Sequence, residues 1–428
     1  MNRQAYNSDS PAAEAPGEPR ARQAVGSALL RPVQPEDAEG IHALLVAGLP
    51  DVPADGERWR ARWSWQYWSN PYRGDRPAGW VLADGDRITG HLGAVYIPLR
   101  VGDERVTGVV GADYVVADDA LARGGVFAGL QLAEAFFSTA KDCVAMATTA
   151  NEKTGAVFSR FGCQPVLWTR QFWRAPASLT QQIRACRSAT SRVVRRLLCS
   201  RAGFVVSGAL GRCYRYLHYG PAVPIPVGCR LETTVPQLAG DLGWIWEGFA
   251  WGSTEMNPGD HDRTGKESAG VQRTQSPGAG VVGIDRTQAY LGWRYGRHPE
   301  RENIRVLVLR DRDGHPIGAA VVFLDERKTR RTAFVEELIT LPDRIEAVHT
   351  LLCAALKLAC DHDADYLVTT PGRRAIRHVF RELGFEPRAR SAPAVVMQPP
   401  LSMTATREDT PAAPFPDDDL DFWHGEMF

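Results

Sequence analysis

Apolar positions fall into two long stretches that each mix strand-like runs with helix-like spacing, and polar segments separate them. In the first stretch, Leu29-Leu30-Arg31-Pro32-Val33 predicts a strand. Pro35-Glu36-Asp37 opens a helix with acids in its first turn, where they suit the dipole, and Ile41, Leu44, Leu45 and Leu49 form its apolar face. Next comes an aromatic cluster of Trp59, Trp63, Trp65, Tyr67 and Trp68, closed by Asn70-Pro71-Tyr72. It reads as a helix packing its rings against a sheet, or as rings lining a pocket. Strands follow at Gly79 to Ala83, Ile88 to Arg100 and Val106 to Val116, the first two joined by the hairpin signal Asp84-Gly85-Asp86. The stretch from Asp113 to Gly162 organises the rest. A strand ends in Asp113-Tyr114-Val115-Val116, and a turn holds Arg123-Gly124-Gly125-Val126-Phe127. A helix follows through Leu130, Leu132, Ala133, Phe136 and Phe137. A second strand, Val144 to Thr149, leads to Asn151, and a short helix runs into Phe158 and Gly162.

The second stretch repeats the first. Trp65-Gln66-Tyr67 with Pro71 recurs as Trp293-Arg294-Tyr295 with Pro299, at the same spacing. Asp84-Gly85 and Gly90 are echoed by Asp313-Gly314 and Gly318, and Phe158 to Pro165 by Phe380 to Pro387. Two copies are too few for a solenoid and predict two like-folded domains in tandem. The copies differ at one place. Glu336-Glu337-Leu338-Ile339-Thr340 takes the position of the Gly-Gly turn, and no glycine occurs between Val335 and Lys357. The second copy therefore reads as a degenerate partner that shapes a pocket at the domain interface.

Composition narrows the class. The chain has 428 residues, 44% of them apolar, enough for two or three domains. Its formal charge is zero, which excludes no partner. Eight scattered cysteines show no metal-ligand spacing, the amino terminus lacks an apolar signal segment, and no apolar run reaches membrane-helix length. These features predict a cytoplasmic protein with reduced thiols and no metal site. Residues 1–26 read as a disordered tail, Ser253 to Ala279 as a long loop, and 401–428 as an acidic tail. From Lys153 to Leu231 there is no acid against thirteen Lys/Arg. The basic helical linker within that span, 176–228, could be a solvated bridge or touch an anionic membrane. Nucleic acid is the least favoured partner, because no reading module accompanies the charge.

A strand feeding a glycine turn and a helix N-terminus offers amides and a positive helix end to a phosphate. No mononucleotide P-loop and no dinucleotide glycine fingerprint is present. The stretch resembles the acyl-CoA-binding core of the GNAT acyltransferase superfamily. That family has a valine-rich strand, then an Arg/Gln-x-x-Gly-x-Gly/Ala loop. A second strand leads to Asn, with an aromatic residue seven positions on and Gly eleven positions on. Asn151, Phe158 and Gly162 match the second spacing. With Gly125 as the first loop glycine, Ala122 and Phe127 depart from the pattern and Arg123 stands one position away. The doubled Trp-x-Tyr-x-x-x-Pro signature is similar to large two-copy bacterial members.

The resemblance implies an α/β (α+β) fold of two tandem GNAT-like domains, 27–175 and 229–400, each a mixed, mostly antiparallel sheet flanked by helices. It implies acetyl-CoA or another acyl-CoA as donor. Val115 and Val116 would meet the pantetheine. Arg123, Gly124, Gly125, Val126 and Phe127 would meet the pyrophosphate, with Asn151 and Phe158 near the cofactor. The acceptor would be an amine on a small molecule, sugar or peptide, with the aromatic cluster lining an acyl or acceptor pocket. Asp113, a carboxylate at the strand end, is the first candidate base, and His91 the second. Many members carry Tyr at the position of Phe158, and a phenyl ring donates no proton. A water, Tyr67 or Tyr114 would then protonate the thiolate. Two other readings remain: an aminoacyl-tRNA-dependent transferase using the basic segment, and a non-catalytic scaffold, suggested by Ala122, Phe127 and Phe158.

Overall fold

The computed structural model describes residues 24–25, 28–49, 52–101, 104–124, 127–148, 151–177, 223–234, 282–325, 331–341, 344–369, 376–389, 395–398 and 420–421. All but Ala24 and Val25 of the expected amino-terminal tail, most of the basic linker, the 253–279 loop, nearly all of the acidic tail, and Gly125 and Val126 of the glycine turn lie outside these residues.

The first half contributes β1 (Ala24–Val25), β2 (Ala28–Pro32), α1 (Ala38–Gly48), α2 (Gly56–Trp63), β3 (Gly79–Asp84), β4 (Arg87–Val101) and β5 (Glu104–Val116). Then come α3 (Asp118–Gly124), α4 (Phe127–Thr139), β6 (Val144–Ala147), α5 (Glu152–Ser159), β7 (Gln164–Pro165) and β8 (Gln171–Pro176). The second half contributes β9 (Arg230–Thr234), β10 (Val282–Ile284), α6 (Gln288–Leu291), β11 (Ile304–Arg310), β12 (Pro316–Asp325) and β13 (Thr332–Thr340). It continues with α7 (Ile345–Asp361), β14 (Tyr366–Thr369), α8 (Arg377–Glu382), β15 (Glu386–Ala389), β16 (Val396–Met397) and β17 (Leu420–Asp421).

These strands form two mixed sheets flanked by helices, the fold class expected from the sequence. The first has the order β1-β2-β3-β4-β5-β6-β16-β7, with β10 joined to the end of β4 and β17 to β10. The second runs β9-β11-β12-β13-β14-β8-β15. From β2 onward the two orders correspond strand for strand, and in each the next-to-last strand comes from the other half. β16 is antiparallel to both β6 and β7, and β8 is antiparallel to both β14 and β15. The chain thus crosses from the first sheet to the second at β8, and residue 175 lies within that strand. Val396 and Met397 are buried, as are Trp173 and Ala175.

One apolar core joins the two sheets: Ile97, Leu99 and Val110 of the first pack in the same cluster as Val306, Val308 and Val321 of the second. α1, α2 and the aromatic cluster belong to it. The outer face of the first sheet is covered by α4 and α5 through Leu132, Phe136 and Phe158. α7 and α8 cover the second through Leu351, Leu352 and Phe380.

One element departs from the pattern read in the sequence. Arg123 and Gly124, assigned to the glycine turn, end a helix over Asp118–Gly124. Asp118 and Asp119 in the first turn complement the dipole, and Ala120-Leu121-Ala122 are good helix formers. The amides at the start of α4 remain the helix end nearest the turn.

Candidate active site

Strand β5 carries one residue more than β4 along a short stretch: His91 pairs with Val115, but Gly93 pairs with Ala112. This bulge puts Asp113 in the left-handed region at φ 52°, a conformation that Asp tolerates better than most residues. The carboxylate then accepts a 2.7 Å hydrogen bond from the Tyr67 hydroxyl. Tyr67 is 1% exposed. Burial, followed by the Asp113 charge, holds its phenol well above the usual range, so it remains a donor. Gly93 makes room for it, since a Cβ there would collide with the Tyr67 hydroxyl.

His91 sits behind this pair and does not line the cavity described below. Its Nδ1 lies 3.0 Å from the Asp113 carbonyl oxygen. A carbonyl only accepts, so Nδ1 carries the proton, and the ring helps to fix the bulge. Among the described residues its Nε2 has no hydrogen-bond partner. Burial pushes the imidazole below its ordinary value, outweighing the opposing pull of Asp113. The neutral ring is therefore the folded form. Once the pH falls below about 6.5, the unfolded chain takes up a proton that the folded chain resists, and stability drops. Melts between pH 7 and pH 5 should show a smaller acid-induced fall in Tm for His91→Gln than for the parent. Equal slopes would remove His91 from this role.

The two parallel strands β5 and β6 pair only at Gly108–Val144, Val109–Ala145 and Val110–Met146. β5 runs on to Val116, leaving a wedge beyond Val110. Tyr114 faces the α4 side, where a Cβ on Gly129 would lie 2.7 Å from its hydroxyl. Burial pushes this phenol up to about 12. Phe158 is 0% exposed and fills the floor of the wedge. A Cβ on Gly111 would lie 2.6 Å from the tip of the Phe158 ring, which packs against Phe137 at 5.1 Å and Phe136 at 5.8 Å. Val115 packs toward Gly48 of α1, and Val116 joins the outer core. Asn151 caps α5, its side-chain oxygen accepting from the Thr154 amide at 2.9 Å. Phe127, at the start of α4, is 67% exposed. Of Arg123 and Gly124 only the backbone is described, at the end of α3. The candidates on β5 thus share one strand end, whereas Phe158 is interior and Asn151 and Phe127 lie at helix starts.

On the inner side of the bulge is a cavity of about 490 Å³ between the two halves. Its walls include Trp59, Trp63, Trp65 and Tyr67 from the aromatic cluster, with Asp113 and Thr148 at the wedge. The second half supplies Tyr290, Trp293, Arg294, Tyr295, Phe323 and Glu336, among others. The repeated Trp-x-Tyr motif forms a π-helical turn in each half, Ser64–Trp68 and Gly292–Gly296. The two turns meet reciprocally. Trp65 Nε1 donates to the Trp293 carbonyl at 2.9 Å, Trp293 Nε1 donates to the Trp65 carbonyl at 3.3 Å, and the indoles stack at 5.1 Å. Arg58 bridges to Glu300 across the same interface at 2.8 Å.

The second half contains a counterpart of the Tyr67–Asp113 pair that the sequence reading missed. Glu336-Glu337 does not replace the glycine turn; it lies within β13 at that strand's own bulge, where Val321 pairs with Glu337 and Val322 with Val335. The misreading arose because the link from strand to helix is shorter in this copy, so aligning by position slid the acids too far. The Tyr295 hydroxyl donates to Glu337 Oε1 at 3.0 Å. Arg286 Nε donates to Glu337 Oε2 at 2.7 Å, and both side chains are 0% exposed. The available signal was the second motif tyrosine with an acid in the matching strand. Among the described residues, Asp311, Asp313 and His315 are the one group spaced for a metal ion. It lies far along the chain from the wedge, and Asp311 accepts from the amides of Asp313 and His315.

The chain matches no protein-family model and no curated protein by sequence. Its fold is similar to those of solved acyltransferases. A probable N-acyltransferase from Enterococcus faecalis aligns at TM-score 0.50 and 8% identity, over 87% of this chain and 72% of that one. A GCN5-related N-acetyltransferase from Anabaena variabilis aligns at TM-score 0.50 and 10% identity, over 86% and 72%. The N-myristoyltransferase of Saccharomyces cerevisiae with bound myristoyl-CoA aligns at TM-score 0.52 and 9% identity, over 89% and 79%.

Proposed function

We propose that the chain is an acyl-CoA-dependent N-acyltransferase with one working site, in the first of two copies of a GNAT-like unit, and that it moves a short acyl group, acetyl in the first instance, to an amine. One juxtaposition supports the reading most: the Asp113 carboxylate, held by Tyr67, faces a cavity at the point where β5 and β6 part. The donor's pantetheine would lie along the open edge of β5 with its phosphates toward the start of α4, and the acceptor would fill the cavity. Asp113 takes a proton from the amine, the nitrogen bonds to the thioester carbonyl carbon, and the C–S bond breaks. The thiolate is then protonated. Tyr114, on the α4 side with its phenolic proton retained, is the donor-side group for that step. The likeness to solved acyltransferases supports the fold on which this site would be built.

Acyl length follows from Phe158, whose ring closes the wedge against Gly111. Free-thiol release with acetyl-, butyryl- and octanoyl-CoA tests both the activity and this limit. The parent should prefer acetyl-CoA. Phe158→Leu should raise the octanoyl-to-acetyl ratio of kcat/KM by about tenfold or more, the order expected for a few methylenes of pocket. A folded Phe158→Leu with an unchanged ratio would show that the ring does not set chain length. No thiol release with any donor would count against the activity.

A further inference from the structure

We propose that the acceptor in this cavity is a monoamine: one ammonium on an uncharged apolar body of about ring size, with no second charge of either sign. The transfer step rests on the acyltransferase reading; the binding preference does not. The first ground is how the charges on the wall are matched. Among the described residues, four carboxylates border the space, Asp113, Glu300, Asp325 and Glu336, with two arginines, Arg62 and Arg294. Arg58 reaches Glu300 at 2.8 Å and also attracts Asp325, and Arg294 lies 3.7 Å from Glu336. Three guanidiniums against four carboxylates leave the wall one positive charge short. Arg62 acts on the Tyr67 phenol, the neutral group from which Asp113 accepts its hydrogen bond. Asp113 makes no ion pair among the described residues. Most of the remaining wall is apolar or aromatic, with Trp63, Val95, Ile97 and Val110 from the first half and Ile284 and Phe334 from the second.

The second ground is the other copy. There the tyrosine–carboxylate pair of Tyr295 and Glu337 holds one cation at the end of an apolar stem, the guanidinium of Arg286, in full burial. The motif tryptophans of the two halves are 228 positions apart. The same offset takes Arg286 back to Arg58, and Arg58 turns instead to Glu300 across the interface. The first half thus keeps the pair without its cation, and an ammonium entering the cavity takes that place. A second ammonium would meet carboxylates that Arg58 and Arg294 already hold, and a carboxylate on the ligand would add a fifth acid. Indole faces attract the cationic end once water is excluded, and burial of the body against apolar side chains adds affinity. A cavity of about 490 Å³ is of the size that encloses a small organic molecule. In transfer, the ammonium gives one proton to Asp113, its nitrogen bonds to the thioester carbonyl carbon, the C–S bond breaks and the thiolate takes a proton. The amide product carries no charge, so the contact that selects the acceptor ends with the reaction and release is favoured.

The test uses the full chain and two readouts. Tryptophan fluorescence is followed while 2-phenylethylamine, 2-phenylethanol, ethylamine, phenylalanine and 1,4-diaminobutane are added, and thiol release from acetyl-CoA is then measured with each amine. Phenylethylamine should bind tightest. Phenylethanol, the same body without the charge, should bind at least about tenfold weaker, as loss of one charged hydrogen bond would give. Ethylamine, which keeps the charge and lacks the ring, should also lose about tenfold or more. Phenylalanine and the diamine, each with a second charge, should trail phenylethylamine as well. Asp113→Asn, read for binding alone, should hold the amine and the alcohol about equally, and the parental comparison stands whether or not this variant folds. Equal parental binding of phenylethylamine with phenylethanol or with ethylamine, a preference for phenylalanine or the diamine, or an undiminished amine preference in folded Asp113→Asn overturns the proposal. The expected ranking without any thiol release would overturn the acyltransferase reading instead and leave the monoamine site standing.

Discussion

Arg286→Ala is expected to destabilise the protein by about 3–5 kcal/mol, the usual range when one partner of a buried ion pair is removed. Arg286 and Glu337 are both 0% exposed and meet at 2.7 Å. Without the guanidinium, Glu337 must either stay charged in an apolar core or take up a proton, while the Tyr295 hydroxyl still donates to Oε1. The damage should not stay local. Arg286 lies two residues past β10, which pairs with β4 of the first sheet, whereas Glu337 lies in the second. Because β8 and β16 are exchanged between sheets, the halves should unfold together in one transition. Denaturant unfolding of Arg286→Ala, and of Arg286→Met with Glu337→Gln, checks this. The double variant should recover much of the loss, since it leaves no charge behind. A single variant within about 1 kcal/mol of the parent would mean that the pair does not bear on stability as argued.

Asp113→Asn is expected to lower kcat by about 10²–10⁴-fold, the span attributed to a positioned base. Asparagine is nearly isosteric and its amide oxygen can still accept from Tyr67, so the bulge should hold and acyl-CoA affinity should stay within a few fold. Tyr67→Phe should cost less, because the hydroxyl orients the base without moving the proton. Steady-state kinetics alongside donor binding separate the two effects. If Asp113→Asn turned over at the parental rate, the base would have to be another group, and the reading of this bulge would fail.

Much of this architecture was legible in the sequence, for identifiable reasons. The repeated Trp65-Gln66-Tyr67 and Trp293-Arg294-Tyr295 motifs mark the two places where the chain makes the same π-helical turn, and the two turns pack on one another. Asp113 stood out as an acid ending an apolar strand, and it does line the cavity. The aromatic cluster, read as a helix packed on the sheet or as a pocket wall, belongs to the apolar core, and its Trp59, Trp63, Trp65 and Tyr67 also border the cavity. Other features were hidden. β16 is two residues long and pairs with a strand some 250 positions earlier, so no periodicity marks it. Phe158 matched the family spacing, but only the packing against Gly111 shows that it seals the wedge. The partner of Glu337 lies 51 positions away, in a segment whose local pattern gives no hint of burial.

The most direct test of the account is a calorimetric titration of the full chain with acetyl-CoA. One saturable site per chain is predicted, because no glycine lies between Val335 and Lys357 to shape a phosphate cradle ahead of α7. Ligand at about 100 times Kd should also stabilise the fold by about 2.7 kcal/mol. Two equivalent sites would contradict the asymmetry between the halves, and no binding to acetyl-CoA or any longer acyl-CoA would contradict the acyltransferase itself.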